Sequence, residues 1–202
     1  MIEYIESNIV LINLQIFFIS ILVFFIGYTF APTAYFKNIK WLTAYPLWMS
    51  KKLERLAKVK WNPVFLFFFL LIINSTSLFA ALLTGLVPMF PVFYAMSVGF
   101  NIGVITYHNL KGKLYYAALL NPVALFELPA AFIVFTMSFQ YNLQILNIKI
   151  LNIKAVSFNE YLNVFLFFVI PLLTLASIVE TTLIIISRKI KVDDNDDIDS
   201  KF

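Results

Sequence analysis

Two acidic residues stand where an acid is costly. Glu127 and Glu180 each lie inside long apolar runs of the chain. A carboxyl at bilayer depth faces the protein interior, pairs with another group, or serves an ion or proton route. Glu127 follows Asn121-Pro122 and precedes Pro129 by two residues, a stretch where missing helical donors leave backbone groups free for other partners. Glu180 belongs to a polar row of Thr174, Ser177, Glu180 and Thr181 at i, i+3, i+6 and i+7, a spacing that puts all four on one side of a helix. No Lys or Arg stands in the same runs to pair with the acids. Two chemistries fit: carboxyls that lock helices together by hydrogen bonding, or a path for an ion or proton. Other reactive groups are scarce. With no Cys and one His, thiolate, disulfide and multi-histidine chemistry are excluded. No nucleophile–base–acid set, P-loop or zinc motif occurs, so the chain reads as non-enzymatic, without cofactor or metal.

The elements that position these acids follow from composition. Of 202 residues 61% are hydrophobic and 13% charged, with a mean hydropathy of +0.88; soluble domains run near 45–50% and about 25%. A water-soluble globule of this size has no room inside for 23 Phe. A cytosolic enzyme, a disordered chain and a nucleic-acid module are excluded despite a net charge of +4; the first partner is the lipid bilayer. A span takes about 20 apolar residues, and five such runs occur, near 9–31, 63–83, 88–107, 114–139 and 161–187. The expected fold is one all-α polytopic bundle. Glu3 and Glu6 in the leader, and the length of the first run, argue against a cleaved signal peptide.

The fourth run is too long for an upright helix, at roughly 39 Å for 1.5 Å per residue. It carries Pro122 and Pro129, so it is kinked or re-entrant, with a half-helix over 114–127 meeting a second piece near Glu127. Broken backbone at that depth is tolerated inside protein or along a wet cavity. Thirteen of fifteen Lys and Arg fall in the first loop, the third loop and the tail. Five spans put those three regions on one face, predicting an outer N-terminus and a cytoplasmic C-terminus. Lys149 and Lys154 lie elsewhere.

Residues 46–61 read as an amphipathic helix on that inner face, with Met49, Leu53 and Leu56 on one side, Lys51, Arg55 and Lys58 on another, Lys52 beside them, and Trp48 and Trp61 as anchors. It suits a lipid surface, partner docking, or a plain basic connector. Ala95, Gly99 and Gly103 form a small-xxx-small ladder for an internal helix pair or a homodimer seam. Asn74-Ser75-Thr76 reads as interhelical polar glue. Residues 146–154 repeat Leu-Asn-Ile-Lys and read as a short strand-like or interfacial segment; the acidic tail, 192–202, reads as disordered.

The order of these features resembles the stage II sporulation protein M family of integral membrane proteins. The matching pieces are Gly99-Phe100-Asn101-Ile102-Gly103, then Pro122-Val123-Ala124-Leu125-Phe126-Glu127-Leu128-Pro129-Ala130, and a closing span from Pro171-Leu172-Leu173 to Glu180. The second piece is similar to the family's Pro-His-Gly-x-x-Glu-Leu-Pro-Ala signature, with Val123 in place of the His and Ala124 in place of the Gly. The resemblance implies a membrane scaffold that acts through partners. Two other expectations stand beside it: the membrane subunit of a transporter served by a separate ATPase, and an ion or proton pathway through Glu127 and Glu180.

Overall fold

Asparagines mark the ends of three of the five spans. In the computed structural model, which describes residues 11–59, 61–148 and 155–199, the Asn13 Oδ1 accepts the backbone N–H groups of Gln15 and Ile16 at 2.9 and 3.2 Å and opens α1, Leu14–Phe36. Asn62, followed by Pro63, opens α3, Pro63–Leu83, in the same way. Both pairings satisfy donors that a helix start leaves over. At the other end, Asn38 takes a left-handed φ of 50°, and Ile39 N–H bonds the Ala34 carbonyl at 3.1 Å. That closure ends α1. Asn147, at φ 56°, ends α5, Ala124–Ile145, with Ile148 N–H on the Leu143 carbonyl at 3.0 Å. The first Leu-Asn-Ile of the repeat is therefore a helix stop rather than a strand; 149–154 lie outside the described residues, as do Lys60, Lys201 and the leader acids, and nothing is placed for the side chains of Leu53, Leu56, Lys58, Lys189 and Lys191.

The remaining elements are α2, Lys40–Lys58; a single 3-10 turn, Thr84–Leu86; α4, Phe90–Leu110; another 3-10 turn, Ala117–Leu120; and α6, Phe158–Val164, which passes through a π turn, Phe165–Val169, into α7, Ile170–Asp199. Among the described residues there is no strand. Five helical rods are long and apolar enough to cross a membrane, so the chain is an all-α polytopic bundle. The second span's helix has its expected limits, 63–83; the third runs 90–110 against an expected 88–107; the first is shifted to 14–36, because Pro32 sits inside α1 and does not end it. The amphipathic segment likewise starts at Lys40, with Pro46 inside it and Trp61 beyond its end. The π turn directly precedes Pro171, whose ring and missing N–H disturb a regular helix over the preceding turn. Helical backbone runs to Asp199, into the acidic segment expected to be disordered.

Glycine sets the closest contact in the bundle. A Cβ added to Gly27 would overlap the Met96 carbonyl oxygen, and one on Gly99 would overlap that of Phe24. Gly103 sits so that a Cβ would lie 2.6 Å from the Ala31 Cβ. Residue numbers rise together along both helices, so α1 and α4 run parallel in backbone contact, a geometry open only to small residues. The Ala95–Gly99–Gly103 ladder thus serves an internal pair, and Gly27-x-x-x-Ala31 is its counterpart on α1.

Pro32 removes the amide that would bond the Tyr28 carbonyl, four residues earlier. The hydroxyl of Tyr115 bonds that carbonyl instead, and Tyr28 OH donates to the Tyr115 carbonyl at 2.7 Å. The two rings stack with centroids 4.5 Å apart. Tyr28 lies eight residues before the end of α1, roughly 12 Å along a helix. The segment after α4 therefore folds back into the bundle before α5 begins. The fourth run is broken and re-entrant, but its first part consists of turns and one 3-10 turn, not a half-helix.

Two outcomes are expected. Gly99→Leu should lower stability by at least about 1–3 kcal/mol, while Ile72→Ala, at an exposed site, should change it little; denaturant titration in detergent micelles measures both. Tyr115→Phe should cost about 1–3 kcal/mol by leaving the Tyr28 carbonyl unpaired. Pro32→Ala, which restores the helical N–H, should remove most of that penalty in a double-mutant cycle.

Candidate functional site

The helix carrying Glu127 starts inside the bundle. Asn121 has extended backbone, its Oδ1 accepts Ala124 N–H at 2.8 Å, and its carbonyl accepts Leu125 N–H. With Pro122 next, Asn121-Pro122 is a cap followed by a first-turn proline and not a kink. Pro129 lies within α5 and, like Pro122 and Asn121, is exposed. Glu127 falls in the first helical turn, where the positive end of the helix dipole favours an acid.

Glu127 Oε1 accepts a hydrogen bond from Asn74 Nδ2 at 2.6 Å. Asn74 is the twelfth of 21 residues in α3, so the pair sits near mid-span. The Asn74-Ser75-Thr76 stretch does act as interhelical glue, through its first residue. Around the pair lies a cavity of about 150 Å³ whose walls come from Asn74, Ser77 and Leu78 on α3 and Val98 and Ile102 on α4. Glu127, Leu128 and Ala131 of α5, Phe24 of α1 and Leu173 of α7 complete it. The helices α3 and α4 touch little along their length, and the cavity opens between them.

On α7, Ser177 and Thr181 are buried, so the polar row turns inward as its spacing predicts. Thr174 is half-buried and bonds its own helix at the Ile170 carbonyl, 2.8 Å away. Glu180, half-buried, lies within electrostatic reach of Glu127. The structure thus joins Glu127 to Asn74 across two helices, with Glu180 of a third within electrostatic reach. The hydroxyls of Ser75, Ser177 and Thr181 are buried without a hydrogen-bond partner. The site is acidic and oxygen-rich, suited to binding a proton, a cation or a donor from another helix. Among the described residues no group of three His, Cys, Asp or Glu could hold a metal ion.

The basic residues form a separate region. Ser50 of α2 donates to Asn109 Oδ1 at 3.0 Å, Tyr35 OH meets His108 Nδ1 at 3.0 Å, and Arg188 bonds the Val59 carbonyl at 2.7 Å. The first loop, the third loop and the start of the tail therefore share one end of the bundle. Lys51, Lys52 and Arg55 are exposed there.

Polar residues at the far end of α5 escaped the sequence reading, which closed that span at 139. Gln140 Nε2 donates to the Leu11 carbonyl at 2.9 Å, and its Oε1 accepts Asn13 N–H at 3.2 Å. Asn142 donates to the carbonyls of Gly85 and Val87 at 3.1 and 2.7 Å and accepts Met89 N–H at 3.2 Å. Thr136 meets Ser20, and Ser138 meets Thr84. The signal was present as i, i+4 spacing: Thr136, Gln140 and Gln144 on one row, Ser138 and Asn142 on another.

If the Asn74–Glu127 bond couples α3 to α5, Asn74→Leu and Glu127→Leu should be non-additive. The expected coupling is about 0.5–2 kcal/mol, the range for hydrogen bonds between membrane helices, read from unfolding of the two single variants and the double. Glu127→Gln, which keeps an acceptor oxygen, should retain most of the stability.

Comparison with curated proteins and with solved structures returns no match for this chain. A family model described as Stage II sporulation protein M matches residues 14–183, which takes in four spans and most of the fifth, the Gly99–Gly103 contact and the Glu127 and Glu180 site. The chain is a multi-pass membrane protein and belongs to the stage II sporulation protein M family.

Proposed function

We propose that this protein is a non-enzymatic membrane scaffold that binds a partner helix within the bilayer. The observation that carries this reading is the cleft between α3 and α4. Its floor is the Glu127–Asn74 pair and its rim includes the exposed Ser77, polar groups turned toward hydrocarbon. A polar surface on a lipid-facing helix is relieved when another helix supplies hydrogen-bond partners. Most other intramembrane polar side chains are spent on holding the bundle: Gln140 on α1, Asn142 on the turn between α3 and α4, Thr136 on Ser20. The orientation that goes with this reading places the basic end in the cytoplasm, in line with the positive-inside rule.

One observation favours a second reading. The N-terminus of α5 starts at bilayer depth and presents an acid within electrostatic reach of another, and buried hydroxyls without partners stand on the neighbouring helices α3 and α7. Broken helices in transporters place their ends in this way around a bound ion or substrate. In that case the cleft is part of an ion or proton route, or of a transporter subunit served by an ATPase docking on the basic end. Catalysis has no comparable support.

The two readings separate by experiment. A photo-crosslinking residue at Ser77 or Val98 should capture a membrane protein in native membranes, with loss of the adduct in Glu127→Leu and none from Ile186, an exposed position on α7. Adducts only to lipid, together with cation or proton flux in vesicles that Glu127→Gln abolishes, would sink the scaffold. Because the chain lacks Cys, orientation is testable with single cysteines. Val87→Cys should react with a membrane-impermeant maleimide from outside, and Lys113→Cys only after permeabilisation.

A further inference from the structure

A second cavity, of about 230 Å³, lies on the α1–α4 pair, lined by Ile26, Gly27 and Phe30 of α1, Met96, Ser97 and Phe100 of α4, and Leu42 of α2. Its lining is apolar apart from Ser97, and it shares no residue with the Glu127 cavity. Gly27 makes the groove possible, since it brings the helices together without a side chain of its own. Along α1, Ile26 and Phe30 are continued by Lys37 at i, i+4 and i+11, one face of the helix. Lys37 is exposed, as is Lys40 in the first turn of α2. The α1 face of the groove therefore leads from bilayer depth toward a cationic mouth at Lys37, with Lys40 three residues on.

The helix over that mouth is turned in an unexpected way. Its buried positions are Thr43, Pro46 and Ser50, packed against α4, and not the Met49 side. Outward it presents Trp41, Tyr45 and Trp48, exposed by 80%, 56% and 54%. These are residues that favour the headgroup layer. Lys52 Nζ lies 5.2 Å from the Trp48 ring centroid, on the same stripe. Leu42 dips into the groove from one flank while Lys51 is exposed on the other. Such a helix lies in the membrane plane with its charges at phosphate level.

We propose that the α1–α4 groove and the start of α2 form a binding site for an anionic phospholipid, with one acyl chain along Gly27 and Ser97 and the headgroup phosphate held by Lys37 and Lys40. Charge complementarity selects this occupant: an apolar slot on a helix face that leads to Lys37, with Lys40 three residues on, fits a chain joined to an anion. The site stands independently of the scaffold reading, because it lies on other residues.

Native mass spectrometry of the full chain in mild detergent, titrated with long-chain phosphatidylglycerol or phosphatidylcholine, tests it. Phosphatidylglycerol should bind at least tenfold more tightly. Lys37→Glu and Lys40→Glu should each weaken it by a factor on the order of five or more, as expected for one surface cation near anionic lipid. Ser97→Phe, which fills the groove while keeping the lysines, should also reduce retention, and circular dichroism should show each variant folded. Equal binding of the two lipids would overturn the proposal. So would unchanged binding in Ser97→Phe, or inorganic phosphate competing as well as the lipid, since each would mean a surface anion contact without an acyl-chain site.

Discussion

The carbonyl of Tyr28 is the constraint on which the arrangement of the bundle depends. Pro32 leaves it without its helical donor, and in hydrocarbon an unpaired backbone carbonyl costs several kcal/mol. The donor comes from Tyr115, which has to be carried back from the end of α4 to reach it. Gly103 leaves the space, since a Cβ there would lie 2.7 Å from the Tyr115 hydroxyl. Once 111–120 is drawn inward, α5 must begin within the bundle, and its first turn places Glu127 opposite Asn74. A proline in the first helix thus determines where an acid on the fifth comes to rest.

At the other end, α5 holds loops rather than helices. Gln140 reaches the entry to α1 and Asn142 the turn between α3 and α4, while Gln144 accepts Val156 N–H at 3.3 Å ahead of the capping box that starts α6. One central helix is therefore tied by side-chain amides to segments far apart in sequence. The span is also the most buried of the five. That division leaves intramembrane polarity not fully used at the α3–α4 cleft and at Ser177 and Thr181 of α7.

Much of this was legible beforehand, and the parts that were not have a common cause. Hydropathy and length place five spans because the bilayer thickness imposes them. The second span's helix has its expected limits, while the first lies five residues further along the chain than expected. There, Pro32 lies within α1 and not at its end; a proline's missing N–H is visible in sequence, but a hydroxyl arriving from residue 115 to replace it is not. Asn121-Pro122 is ambiguous in sequence for the same reason: the pair opens a helix as readily as it bends one, and only the neighbouring turn decides. The inward turn of Ser177 and Thr181 followed from spacing alone.

The sequence by itself determined the solvent, the number of crossings, the clustering of cations and the presence of two acids at bilayer depth, because each follows from local composition against a fixed thickness of hydrocarbon. Only the tertiary structure decided that α1 and α4 meet backbone to backbone, that α5 starts inside the bundle, and that Glu127 finds Asn74 while lying near Glu180. Those outcomes depend on which unpaired donors and acceptors reach one another across the bundle, and residues more than fifty positions apart in the chain carry no local mark of that meeting.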